Sequence, residues 1–163
     1  MVNQVLGAGC FAVRGTFFDK VPGANWKVPM HQDRMVPVRE RKEAHGFSLW
    51  SVKEGVQFVQ PPAEVMQEML AVRLHLDDAD ENNGPLRVIP GSHRHGFIPD
   101  SEIDNWRETK SVTCICPRGS ALLMRPLLLH ASSPAKEPRH RRVIHLEFAV
   151  QQLPSGLHWK DAV

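Results

Sequence analysis

His31 and Asp33 stand one residue apart in the stretch Lys27-Val28-Pro29-Met30-His31-Gln32-Asp33-Arg34, and their spacing is chemically suggestive. In an extended strand, side chains at i and i+2 leave the same face about 7 Å apart. An imidazole and a carboxylate can then lean toward one metal ion while Gln32 points the other way. They would supply two ligands of the two-His-one-carboxylate triad, which grips one side of an iron ion and leaves the opposite positions open for substrate and oxygen. By itself the pair is a weak signal, because His75-Leu76-Asp77 repeats the pattern and His145-Leu146-Glu147 offers a His-x-Glu.

Support comes from the far end of the chain. Leu127-Leu128-Leu129-His130-Ala131-Ser132 brings an apolar strand up to a histidine, and Arg141 opens the last strand-like run. If the two strands are neighbours in one sheet, the turn between them returns Arg141 to the vicinity of His130. The planar fork of a guanidinium grips a carboxylate bidentately, which would fix an acidic cosubstrate whose other end chelates the metal. Arg142 competes for that role from the opposite face of the strand, and spacing favours Arg141.

The elements that must position these groups read as follows. Residues 10 to 18 are rich in aromatic and β-branched types and predict a first strand, closed by a turn over 19 to 23. The strand carrying His31 comes next. From Arg34 to Val52 no period survives, so this stretch reads as a loop, and the span 34 to 60 as a substrate lid with Trp50, Gln60 and His45 as contacts. Pro61 and Pro62 open a short helix whose Val65, Met66, Met69 and Leu70 share a core-facing side. Met69 to Ala79 alternates as a strand, with Ala71, Arg73, His75 and Asp77 on one face. Asn83-Gly84 predicts a tight turn before Leu86 to Ile89, and Asp100 or Ser101 caps a short helix. His93 and His95 finish a turn. Strand-like runs follow over 111 to 116, 121 to 130 and 143 to 150. Seven or eight short strands without a strand-helix rhythm predict an antiparallel β sandwich or barrel.

For the other histidine pairs the blander roles are favoured. His75 and Asp77 read as structural hydrogen-bonding groups, and His145 and Glu147 as a sheet-surface pair, with support of the site as their alternative.

Composition narrows the function classes. The chain's 163 residues, 42% hydrophobic and 23% charged, suit one globular domain with a real core. A net charge of +2, from 20 basic and 18 acidic side chains, is too balanced for a polyanion partner. The densest basic run, Arg139-His140-Arg141-Arg142, is short and lacks interleaved aromatics, so no nucleic-acid partner is expected. No apolar run reaches membrane-spanning length, and no membrane partner is expected either. The three cysteines, at 10, 114 and 116, are odd in number and point to a reducing, cytoplasmic location. Oligomeric state is left open.

Four segments taken in order carry a family resemblance: Val28-Pro29-Met30-His31-Gln32-Asp33; Leu74-His75-Leu76-Asp77-Asp78; Asn83-Gly84-Pro85-Leu86-Arg87-Val88-Ile89-Pro90-Gly91-Ser92-His93; and His130-Ala131-Ser132 through Arg141-Arg142. Together they cover most of residues 26 to 148, and the ordered set resembles the phytanoyl-CoA dioxygenase family of iron and 2-oxoglutarate dependent oxygenases. The resemblance implies a double-stranded β helix, a cupin-like jelly roll with one or two short helices. It implies His31, Asp33 and His130 as Fe(II) ligands, Arg141 as the anchor for the far carboxylate of 2-oxoglutarate, and Ser132 as its helper. The implied reaction is hydroxylation of a small organic substrate by O2, with release of succinate and CO2.

Two departures from the family pattern stand out. Relatives carry a longer helical segment before the first strand, so residues 1 to 163 read as a single jelly-roll domain that is either a minimal version or a truncated product. Where many relatives place an aromatic at the cosubstrate wall this chain has Arg73, which implies a second carboxylate contact or an altered pocket. The rival expectations are a cupin-like metalloenzyme that does not use 2-oxoglutarate and a degenerate barrel serving as a binding module.

Overall fold

A computed structural model describes residues 1–163, the side chain of Arg107 excepted. A five-residue helix α1 (Val2–Leu6) precedes β1 (Phe11–Lys20). This strand runs through the turn expected at Asp19, because Asp19 and Lys20 complete an antiparallel ladder opposite Arg142 and Arg141. Then come β2 (Val28–His31), β3 (Val36–Val38), β4 (Ser48–Lys53), β5 (Val56–Gln60), helix α2 (Ala63–Gln67), β6 (Leu70–His75) and β7 (Leu86–Val88). Two 3₁₀ segments, Ser92–His95 and Asp100–Glu108, lead to β8 (Val112–Cys114), β9 (Ala121–Met124), β10 (His130–Ser132) and β11 (Arg141–Ala149).

Eight of these strands form two antiparallel four-stranded sheets, ordered β1-β11-β6-β9 and β2-β10-β7-β8. The chain passes back and forth between the sheets, which is the winding of a double-stranded β helix. Side chains from both sheets line one cavity between them. The strands expected to carry His130 and Arg141 are therefore not neighbours. β10 lies between β2 and β7, whereas β11 lies between β1 and β6 in the opposite sheet. The run expected over 121 to 130 divides at Pro126, which has no amide hydrogen to give to a ladder; its carbonyl accepts instead from the Asp33 N–H at 3.0 Å.

The span expected to be a lid is a third sheet, ordered β3-β5-β4. Its β4–β5 hairpin closes on Glu54 (φ 51°) and Gly55 (φ 77°), a two-residue turn with both central residues left-handed. Val36, Val38 and Val59 of this sheet are buried with Met66 and Trp159 in the largest apolar cluster, and Trp50 packs against it. None of Trp50, Gln60 and His45 lines the cavity. Among the described residues no helix is long and apolar enough to cross a membrane.

Gln32 fixes the strand that presents His31. Its side chain, 5% exposed, donates from Nε2 to the Gly96 and Leu127 carbonyls at 2.8 and 2.7 Å, while its Oε1 accepts from the Ile98 N–H at 2.9 Å. An apolar replacement would leave three backbone groups unpaired in a water-poor interior. Q32L is expected to destabilise the fold by about 3 kcal/mol, read as a lowered midpoint in urea. A shift within about 0.5 kcal/mol would contradict this role for Gln32.

Candidate metal centre

His31 ends β2, His130 begins β10, and the two are direct cross-strand partners. Facing residues in an antiparallel pair hold their side chains in contact, and the two ring centroids lie 4.2 Å apart. Each Nδ1 donates to the carbonyl two residues back, His31 to Pro29 at 2.9 Å and His130 to Leu128 at 2.8 Å. A carbonyl only accepts, so Nδ1 carries a proton in both rings, and Nε2 has its lone pair whenever the ring is neutral. Asp33 then divides its oxygens between the rings, with Oδ1 3.6 Å from His31 Nε2 and Oδ2 3.7 Å from His130 Nε2.

One ligand atom from each of the three residues lies within 4.8 Å of the others, the one such cluster among the described residues. Ligands about 2.1 Å from a common ion stand about 3 Å apart at right angles and about 4 Å apart when opposite, and the Asp33 oxygens, 3.6 and 3.7 Å from the two Nε2 atoms, fall in that range. The donors, two imidazole nitrogens and a carboxylate, match a facial triad with open positions.

Electrostatics prepares these groups. Burial alone would raise the Asp33 carboxyl, but the close approach of His31 and the charges of the neighbouring imidazoles hold it well below the usual carboxylate range. Burial pushes His130 down to about 4, so its ring is neutral at physiological pH. For His31, burial acts the same way but is outweighed by the contacts to Asp33 and the Pro29 carbonyl, and its pKa is raised above 6.5. Protons compete with metal for the same nitrogens. Between about pH 4 and 6.5 His31 is therefore protonated while His130 and Asp33 are not, and metal uptake is expected to release one proton. Calorimetry in buffers of different ionisation enthalpy measures that number; zero or two protons would contradict the assignment.

The cavity beside this triad has a volume of about 190 Å³ and is lined by Arg73, His145 and Glu147 from one sheet and Ser132 and Leu86 from the other, with Arg141 at one end. Arg141 is 5% exposed, donates from Nη1 to the Gly84 carbonyl, and has no partner for its buried Nε. Gly84 is held in the left-handed region (φ 60°), and a Cβ there would meet the Ser133 carbonyl at 2.6 Å, so the Asn83-Gly84 turn suits this close approach. Arg142 points out of the barrel and binds Asp77 through its amide, Nε and Nη2. Asp77 is thus a structural partner. His75 is not, because it is buried with neither ring nitrogen bonded; burial, then Arg73 and Arg141, lower its pKa to about 4.

His145 and Glu147 are not a surface pair. At 4% and 5% exposure they face inward, because β11 turns its odd-numbered residues to the barrel interior. Arg73 Nη1 lies 3.1 Å from His145 Nδ1. A guanidinium can only donate, so that nitrogen accepts and the ring proton sits on Nε2, 3.5 Å from Glu147 Oε1. Arg14 Nη1 reaches the same oxygen at 3.3 Å. The result is a polar chain from Arg73, through His145 and Glu147, to Arg14 at the other end of the cavity.

Lys20 is the residue that sequence reasoning missed. It is 1% exposed and donates from Nζ to Ser132 Oγ at 3.2 Å and to the Ser133 carbonyl at 2.9 Å. Burial, then Arg141 and Arg73, lower its pKa to about 8. The available signal was strand parity, since Lys20 falls on the same face of β1 as Arg14, Thr16 and Phe18, all of which line the cavity.

The family model for phytanoyl-CoA dioxygenase (PhyH) matches residues 2–143. The chain belongs to the phytanoyl-CoA dioxygenase family. Among curated relatives of this PhyH chain is an L-proline trans-4-hydroxylase from Streptomyces griseoviridis, 24% identical over 153 residues, covering 77% of this chain and 48% of that protein. Among solved structures, the non-heme monooxygenase ThoJ in a nickel complex superposes with a TM-score of 0.65 at 18% identity, covering 99% of this chain and 53% of that one. EctD from S. alaskensis with bound Fe gives 0.65 at 19% identity, covering 93% and 50%. These likenesses establish a shared jelly-roll fold. The chain spans about half the length of the relatives it matches.

Proposed function

We propose that this chain is the jelly-roll domain of an Fe(II)- and 2-oxoglutarate-dependent dioxygenase that hydroxylates a small organic substrate with O2, releasing succinate and CO2. His31, Asp33 and His130 are the iron ligands in this reading. Arg141, Ser132 and Arg73 bind 2-oxoglutarate. The observation that carries it is the joint placement of the triad and of the buried, partly unpaired Arg141 on one cavity of about 190 Å³.

Bound iron with 2-oxoglutarate supplies the oxidising chemistry, and the protein supplies binding, orientation and exclusion of water. The carbonyls of Pro29 and Leu128 lock both imidazoles with Nε2 toward the metal position. Arg141 offers its fork to the carboxylate farthest from the metal, and the buried positive charge of Lys20, Arg73 and Arg141 favours a dianion over a neutral ligand. That preference supports 2-oxoglutarate over a cupin chemistry without an acidic cosubstrate. The three cysteines are free, which agrees with a reducing, cytoplasmic setting, and no nucleic-acid or membrane partner enters the proposal.

The test is turnover. Incubated with Fe(II), ascorbate, 2-oxoglutarate and O2, the chain is expected to release succinate and CO2 in equal amounts, even without substrate, at a slow uncoupled rate. Binding of 2-oxoglutarate with no succinate formed would leave a binding module, and binding of metal without 2-oxoglutarate would favour a different metalloenzyme.

A further inference from the structure

We infer that the pocket walled by α2, the Ser92–His95 segment and the loop before β10 binds the phosphate group of a soluble molecule through His93, Arg94 and Arg125. This pocket has a volume of about 370 Å³ and shares no lining residue with the cavity beside the triad. It is lined by Gln67 at the end of α2, His93 and Arg94 of the 3₁₀ segment, and Arg125 and Leu127 of the loop. Three of the five are basic and none is acidic. Arg14, Arg34, Arg139 and Arg142 each have a carboxylate partner, whereas Arg94 and Arg125 have none among the described residues. Like charges gathered in one concavity repel one another unless an anion joins them.

Each basic group has donors to spare. Arg125 is partly buried and gives Nη1 to the Met69 carbonyl at 2.9 Å, which fixes the side chain and leaves Nε and Nη2 unspent. Arg94 is exposed and its guanidinium makes no hydrogen bond among the described residues. The His93 ring is buried at Nδ1, where it has no partner. Burial, then Arg94 and Arg125, hold its pKa below 6.5, so at neutral pH the ring carries a single N–H. Orphaned buried N–H groups are rarer than orphaned acceptors. The hydrogen therefore belongs on Nε2, the ring nitrogen that is not sealed off. Donors converging from two chain segments, with the Gln67 amide at the rim, suit the three strong acceptor oxygens of a phosphate group better than the planar pair of a carboxylate. None of the exposed large apolar side chains lines the pocket, which argues for a soluble phosphate over a lipid surface.

The test is calorimetric titration of the metal-free chain with sodium phosphate at neutral pH; leaving metal out keeps phosphate from binding through the triad. Two charge-assisted contacts predict a Kd of about 1 mM for the wild-type chain. R94E is expected to weaken phosphate about a hundredfold and R125M about tenfold, while R141M, which alters the other cavity, stays within about twofold. R94E should fold normally, because Arg94 is exposed and its side chain holds no other group. R125M gives up the bond to the Met69 carbonyl; where that unfolds the chain, R125K keeps the charge, loses the fork and is expected to cost about threefold. Absence of saturable phosphate binding in the wild-type chain would overturn the inference, as would unchanged affinity in R94E. A loss confined to R141M would also overturn it, by moving the phosphate into the cavity beside the triad. In a parallel arm, binding to vesicles containing phosphatidic acid without binding to inorganic phosphate would contradict a soluble ligand.

Discussion

H130A is expected to lower the affinity for Fe(II) or Mn(II) by well over a hundredfold while leaving the chain folded. The size follows from comparison, because removing a group that merely orients a metal ligand costs about 10- to 100-fold, and His130 would be a ligand itself. Nothing else is placed to substitute, since the described residues contain no second cluster of this kind and His130 is held rigidly by the Leu128 carbonyl and its pairing with His31 and Val88. The fold should survive because the ring is buried uncharged and spends one hydrogen bond, a loss of about 1 kcal/mol. Calorimetric titration with Mn(II), alongside a thermal melt, separates the two effects. Near wild-type metal affinity in a folded H130A chain would remove His130 from the centre.

The second large effect is expected at Arg141. R141M should weaken 2-oxoglutarate by roughly 30- to 1000-fold, the equivalent of about 2 to 4 kcal/mol for breaking one side of a buried charge pair. Metal affinity should be nearly unchanged, because Arg141 belongs to the opposite sheet from both histidines. Arg142 is the built-in control. It is the next residue, with the same charge, but it faces outward and is occupied by Asp77. R142M should leave 2-oxoglutarate binding within about twofold and cost only the modest stability of an exposed ion pair. A large loss in R142M with none in R141M would invert the assignment.

Strand parity made much of this arrangement readable in advance. Alternation in Leu70–His75 places Arg73 and His75 on one face, and the same rule separates Arg141 from Arg142; the structure puts the first of each pair where the rule requires. Pro61 and Pro62 marked the start of α2, and Asn83-Gly84 marked a turn whose left-handed glycine has no room for a side chain. What escaped the sequence was long-range. His130 and Arg141 converge across the barrel rather than along one sheet, and no local pattern encodes which sheet a strand will join. The 34 to 60 stretch lacks a clean period because its third sheet takes its order from a Glu54-Gly55 turn and from Trp159, distant in sequence. Lys20, His145 and Glu147 were misread for the opposite reason: this barrel is polar inside around its cavity, so the usual rule that charged residues face water points the wrong way.

The most direct measurement is an anaerobic titration of the Fe(II)-loaded chain with 2-oxoglutarate, following the visible charge-transfer absorption that arises only when the keto acid chelates iron. The band should appear at one equivalent of each in the wild-type chain, require far more 2-oxoglutarate in R141M, and be absent in H130A. A wild-type chain that takes up iron and 2-oxoglutarate without developing the band, or an H130A chain that develops it normally, would contradict a centre built from His31, Asp33 and His130.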